Sequence, residues 1–256
     1  MWSKISIEQE NTYYWKLGLK EIYLQKRNQE WLFSLKDLPE LAKDIICGEP
    51  TSPLNDAEWL TFIGDSGNTL QPLPAFPDRP IVVKPKTALK VLPNKDVLLF
   101  IEIPLYIQFY SETGKNENLI FECCSQELSS TWFGELDDGT LAYSLPLEIS
   151  TAFEKSKHAS HTIICPVRLT NDSITTLDVQ RFLLRGEYLT IYRHEKDLWS
   201  NEVKIKFKGE SEFSDVQYVN QAPSFVKKPV QIATPRSSKS TNVFSKSFHF
   251  FKSLTE

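Results

Sequence analysis

At 256 residues, with 41% hydrophobic and 12% aromatic content, the chain is long enough to bury a core as one large all-β domain or two smaller units. Its net charge of −4 hides an asymmetry, because residues 221–256 carry six Lys/Arg against Glu256 alone. The first 220 residues therefore sit at about −9, which argues against the body as a general nucleic-acid binder.

The start, MWSKISIEQENTYYW, has no uninterrupted apolar stretch, and no segment approaches eighteen apolar residues in a row, so neither a signal peptide nor a membrane helix is expected. Cys47, Cys123, Cys124 and Cys165 show neither metal-knuckle nor disulfide-framework spacing, which points to a reduced, cytoplasmic chain with structural thiols. No cofactor is expected.

Residues 12–35 read as a small meander. Tyr13, Trp15, Leu17 and Leu19 share a parity, and Trp31, Phe33 and Leu35 alternate after an Arg27-Asn28 turn. Asp37 to Cys47 carries a candidate N-cap Asp37 and apolar Leu38, Leu41, Ile45 and Ile46, ending at Gly48, a pattern that predicts one short helix. Residues 71–80, QPLPAFPDRP, hold four prolines and suit a stiff linker or a loop laid over the body.

The most regular stretch follows. Val97, Leu99, Ile101, Ile103, Leu105, Ile107 and Phe109 are seven consecutive odd positions, all apolar, as in a strand with one buried face. Such a run would span roughly 45 Å, too long for one straight strand, so a bend is expected at Pro104, whose missing amide suits an edge or bulge. The device recurs in Leu145-Pro146-Leu147 and Cys165-Pro166-Val167. Bent strands at sheet corners favour a β-sandwich.

Arg185-Gly186-Glu187 reads as a hairpin turn, and NEVKIKFK (residues 201–208) as an edge strand with a solvated lysine ladder. Beyond 209 the chain turns Pro/Ser/Lys-rich and ends in VFSKSFHFFKSL. At 100° per residue its apolar positions, including Phe244, Phe248 and Phe251, fall within an arc of about 160° with Lys246, His249 and Lys252 opposite, which predicts an amphipathic helix over 242–254. The expected organisation is thus a mainly β, antiparallel sandwich fold: an N-terminal meander plus helix (1–70), a sandwich core (71–210) and a basic tail (211–256).

Chemistry-bearing constellations are few. His158, His161 and Cys165 offer zinc-type ligands without a visible fourth, and weigh as weak metal candidates. There is no G-x-S-x-G elbow and no phosphate-cradling glycine loop. The segment STWFGELDDGTLAY (130–143) is the best candidate surface: Asp-Gly marks a hairpin, and Trp132, Phe133, Gly134 and Tyr143 can place an aromatic plane beside it. The competing account has Trp132 or Phe133 plugging the end of the sandwich.

RPIVVKPKTALKVLPNKDVLLFIEIPLYI together with TWFGELDDGTLAYSLPLEI resembles a family of prokaryotic proteins catalogued as domain of unknown function 432, over about residues 75–210. The resemblance implies no activity and carries over no catalytic residue. Taken together, the residues suggest a non-enzymatic module that binds another protein or itself through the Trp132–Tyr143 hairpin and the tail residues Phe244, Lys246, Phe248, Phe251 and Lys252. A membrane surface enters only through that tail. The alternatives are a small-ligand or carbohydrate-binding sandwich that stacks Trp132 or Trp59 on its ligand, and a metal-dependent hydrolase built on His158 and His161.

Overall fold

The computed structural model describes residues 1–50, 57–64, 66–113, 116–147, 149–153, 159–209 and 214–237. They are mainly β, with a single 3-10 turn at Gly186–Tyr188 as the one helical element among them. The described residues cluster into two compact units, the first within Met1–Ala75, Pro104–Glu127 and Ala159–Thr162, the second within Phe76–Ile103, Leu128–His158 and Ile163–Glu256.

Nine strands build the first unit: β1 (Ile5–Ser6), β2 (Tyr13–Leu17), β3 (Lys20–Arg27), β4 (Glu30–Asp37), β5 (Ile46–Gly48), β6 (Leu60–Ile63) and β7 (Thr69–Ala75), with β11 (Tyr106–Thr113) and β12 (Asn116–Cys124). They form a four-stranded sheet, β1-β7-β11-β12, and a five-stranded sheet, β5-β2-β3-β4-β6. The two pack face to face through rings. Trp15 and Phe33 of the larger sheet meet Phe109 of the smaller at 5.0 and 5.2 Å between centroids, and Phe33 stacks on Phe121 at 4.5 Å. This sandwich core therefore gains ring–ring geometry on top of apolar burial. Pro72 and Pro74 lie in β7 beyond the reach of β1, which pairs only with Thr69 and Leu70, so their missing amides break no ladder there.

The meander is present, with β2, β3 and β4 paired in sequence and Asn28 at φ 50° in the β3–β4 turn. The helix predicted over 37–47 is not. Leu38 N donates to Leu19 O and Ala42 N to Gly18 O, both at 2.8 Å, so these amides are taken by the β2–β3 turn rather than by carbonyls one helical turn back. Asp37 pairs with Lys20, and Pro39 disfavours helical ψ at the residue before it, Leu38. The C-terminal helix predicted over 242–254 lies outside the described residues.

The long apolar run is two strands, β10 (Lys95–Pro104) and β11, interrupted at Leu105. From Leu99 to Phe109 every odd position is fully buried. β10 pairs β15 (Thr162–Asn171), whereas β11 pairs β7 and β12, so the run serves two different sheets and changes over at Pro104. Pro166 marks a second change. β15 runs parallel to β19 (Asp197–Ser200) through Ile163 and Ile164, then parallel to β20 (Val203–Phe207) from Val167 onward. A residue with no amide to donate falls where the partner strand is itself broken, at Asn201-Glu202.

The second unit holds these strands in a seven-stranded sheet with β18 (Ile191–His194), β21 (Asp215–Tyr218) and β22 (Val230–Ala233). A four-stranded sheet of order β13-β14-β8-β17 joins β13 (Ser129–Phe133), β14 (Thr140–Leu147), β8 (Ile81–Pro85) and β17 (Phe182–Leu184), and a small pair joins β9 (Leu89–Val91) to β16 (Leu177–Val179). Ile81, Val82 and Val83 are all buried because β8 is central and covered on both faces. Arg185-Gly186-Glu187 is not a hairpin: β17 pairs β8, β18 pairs β19 and β22, and the segment between forms the 3-10 turn. Nor is the lysine ladder on an edge. β20 lies between β15 and β21, with Val203, Ile205 and Phe207 buried, while Lys206 pairs Asp172 at 3.0 Å on the solvent side.

Candidate functional site

The hairpin β13–β14 ends in a corner made by two glycines and one carbonyl. Trp132 Nε1 donates to Glu135 O at 2.9 Å, and Gly139 N donates to the same oxygen at 2.9 Å. Gly134 sits at φ 111°, in the region glycine alone occupies readily, and a Cβ on it would come 2.7 Å from Gly139 Cα. The indole thus lies directly on Gly139 and is held there, yet Trp132 remains 47% exposed. Across the ladder it faces Leu141, 46% exposed, and Leu136 on the turn is 91% exposed. Glu135, Asp137 and Asp138, in the turn that carries Leu136, are exposed. Among the described residues β13 has β14 as its single partner, so its other side is an open edge.

Strand alternation divides the predicted aromatics. Phe133, next to Trp132, points inward and is 3% exposed, with the Arg181 guanidinium 5.4 Å from its ring centroid. Tyr143 is half-buried. Its hydroxyl donates to Asp78 Oδ1 at 2.9 Å, and Arg79 lies 5.4 Å above its ring. Of the two adjacent rings, Phe133 is thus buried and Trp132 half-exposed. Trp59 is half-buried at the entrance to β6.

The metal candidates do not assemble among the described residues. His158 lies outside them, and so do Phe244, Lys246, Phe248, Phe251 and Lys252. His161 is 3% exposed, and its carbonyl accepts Leu105 N at 3.0 Å and Ser125 Oγ at 3.2 Å. Cys165 is fully buried, and burial pushes its thiol up to about 12, against the thiolate that zinc or nucleophilic chemistry needs. No group of three His, Cys, Asp or Glu side chains among the described residues is placed to share a cation. No disulfide links the four cysteines.

A second feature escaped the sequence. On the outer face of the five-stranded sheet, Tyr14 and Tyr23 are directly cross-strand, and their hydroxyls donate to the two oxygens of Glu21 at 3.0 and 2.9 Å. Lys16 and Lys36 flank Glu21 on the neighbouring strands, and Ile46 to Pro50 wall a groove of about 500 Å³. Burial, and then the hydrogen bond to Glu21, pushes Tyr23 up to about 12 and Tyr14 further in the same direction, so both stay protonated donors. The signal was available: once the β2–β3 pairing is fixed, even positions of β2 and odd positions of β3 share the outer face.

No helix among the described residues is long and apolar enough to cross a membrane. No curated protein and no solved structure matches the chain. A family model described as Protein of unknown function (DUF432) matches residues 1–252, which extends the likeness from the central strands to the meander and almost all of the basic tail.

Proposed function

Because the chain belongs to this family of proteins of unknown function, DUF432, whose description assigns no activity, we propose from its own residues that it is a non-enzymatic interaction module that binds another protein at the Trp132 corner. The observation that carries the reading is that Trp132 is fixed by a hydrogen bond and a glycine contact but half-exposed, beside Leu136 and Leu141, on an open edge strand. A large ring whose conformation is already set loses little entropy on binding, which is how aromatic anchors act at interfaces. The side of β13 that no strand among the described residues pairs offers backbone groups to an extended segment of the partner.

A photo-crosslinking residue at position 136, compared with one at Ile174, which is 93% exposed elsewhere in the same unit, tests this in cells. A discrete adduct from position 136 and none from 174 is expected. Equal adducts, or none, would overturn the proposal.

The groove of Tyr14, Tyr23 and Glu21 supports a second reading, a site for a small polar ligand such as a sugar, with ring faces for stacking and two lysines at its rim. Here the stacking residues are the tyrosines rather than Trp132 or Trp59. Heat on titrating a sugar panel, lost in Tyr23→Ala, would favour it over the protein partner.

A further inference from the structure

We propose that the chain pairs with a second copy of itself, edge to edge along β13, about a twofold axis at Thr131. This deepens the interaction reading above, on which it rests, by naming the partner. The first ground is the direction of the backbone. Tyr143 N donates to Pro80 O at 2.8 Å, and Leu147 O accepts Lys86 N at 3.0 Å, so the odd positions of β14 turn their amides and carbonyls to β8. Its even positions therefore bond β13, Ala142 with Thr131, Ser144 with Ser129 and Thr140 with Phe133. That leaves Ser130 and Trp132 with both backbone groups aimed out of the sheet, along the side that no strand among the described residues pairs. The usual guards of an edge are missing from this strand: its residues, SSTWF, include no proline and no charge, and its register runs without a bulge.

The second ground is that the edge is complementary to itself. Two copies laid antiparallel, with Thr131 opposite Thr131, set Ser130 against Trp132 in both directions, and all five residues of β13 find a partner. Ser130 and Trp132 then form hydrogen-bonded pairs, about four backbone bonds across the axis. Directly opposed residues share a face, so the exposed Trp132 ring falls beside Ser130 of the other copy. Arg79 already lies at that serine. Its Nη1 donates to Ser130 Oγ at 3.4 Å, its side chain is 40% exposed, and its ion pair is a long one, 3.8 Å to Asp78. The hairpin carries Glu135, Asp137 and Asp138 at its tip and Arg79 near the start of β13, and the antiparallel order lays the tip of each copy toward the Arg79 end of the other. Glu135 is held at the Trp132 ring by the indole bond to its carbonyl, so one guanidinium meets both an aromatic ring and a carboxylate, and the axis makes the contact twice. A foreign segment would have to bring a bare strand and a cation in this order. A second copy brings both.

The test uses the full chain. Sedimentation velocity over a dilution series is expected to show a monomer–dimer equilibrium. Ser130→Pro deletes an outward amide without touching the bonds between β13 and β14, and is expected to weaken the dimer about tenfold or more at wild-type circular dichroism. Disulfide trapping in a Cys47→Ser background locates the contact. Thr131→Cys, opposite itself at the close spacing of a non-hydrogen-bonded pair, is expected to cross-link, and Ile174→Cys, 93% exposed elsewhere in the unit, is expected not to. A wild type that is monomeric at every concentration would overturn the pairing. So would a dimer that Ser130→Pro leaves intact and Thr131→Cys does not trap, since the contact then lies elsewhere. A monomer that still gives an adduct with a different protein from position 136 would sink only the second copy. A dimer trapped at Thr131 and unchanged in Trp132→Ser, with no adduct from position 136, would sink only the reading of Trp132 as the anchor.

Discussion

The indole of Trp132 lies so close on Gly139 that a Cβ there would fall 2.3 Å from Nε1 and 2.5 Å from Glu135 O. Gly139→Ala therefore has to move either the ring or the turn backbone. We expect a destabilisation of about 2 kcal/mol, the scale of overpacking in a tight contact, together with a shift in the Trp132 environment. Chemical denaturation monitored by fluorescence checks both. A variant as stable as the wild type, with an unchanged Trp132 signal, would mean the ring is not held as described.

Gly18 offers a parallel case inside the first unit. It sits at φ 59°, and an added Cβ would lie 2.5 Å from Ser125 O, the same oxygen that accepts Leu19 N at 2.7 Å. Gly18→Ala meets both backbone strain and a collision. A loss of about 2 to 3 kcal/mol is expected, with faster amide exchange at Leu19. Retained protection at Leu19 would contradict the geometry.

The parity of the long run from Val97 to Phe109 was legible because one buried face writes a period of two directly into the residues; Pro104 and Pro166 fall where strands change partner, whereas Pro146 lies inside an unbroken parallel pairing of β14 with β8. The segment from Asp37 to Cys47 misled because its near-helical spacing is local, while the amides of Leu38 and Ala42 are claimed by residues about twenty positions earlier. No window of a dozen residues contains that information. Alternation likewise said that Trp132 and Phe133 face opposite ways, but which of them faces out depends on the closeness of Gly139 and on Arg181 over Phe133. The groove of Tyr14, Tyr23 and Glu21 needed the pairing register, which the sequence states only as a meander.

That register makes a pH prediction. The Tyr23 hydroxyl, pushed up to about 12, and the Tyr14 hydroxyl, pushed higher, ionise later in the fold than the usual value near 10. Since the folded values exceed the unfolded one, their contribution to stability is fully present below pH 10 and is lost as pH rises through 12. Absorbance at 295 nm should show three tyrosines titrating after the rest: Tyr218, whose hydroxyl burial also pushes up, and the pair Tyr14 and Tyr23. Glu21→Gln should bring Tyr14 and Tyr23 part of the way down, because burial, the larger cause, remains. Their titration with the other tyrosines in the wild type would refute the Tyr–Glu–Tyr arrangement.

Thiol chemistry separates the cysteines in the same manner. Cys47 is exposed on β5, whereas Cys165 is fully buried with its thiol near 12. A disulfide reagent at pH 8 should modify Cys47 in the native protein and reach Cys165 only after unfolding. Native modification of Cys165 at the rate of Cys47 would reopen that residue to ligand or nucleophile roles.

The sharpest contrast is between two large apolar residues that the fold treats oppositely. Phe109 is fully buried among Trp15, Phe33 and Phe121, and Phe109→Ala should cost about 3 to 5 kcal/mol through lost burial and the cavity left behind. Leu136, at 91% exposure, contributes almost nothing to either unit's core, so Leu136→Ser should leave stability within about 0.5 kcal/mol. If Leu136 serves the surface around Trp132, the same substitution should nonetheless abolish the adduct formed from a crosslinker placed at Leu141, its neighbour in the patch. Denaturation curves and the crosslinking gel, run on the same preparation, separate the two roles. An unaltered adduct in Leu136→Ser would remove this residue from the binding surface, and a large loss of stability would show that the fold uses it after all.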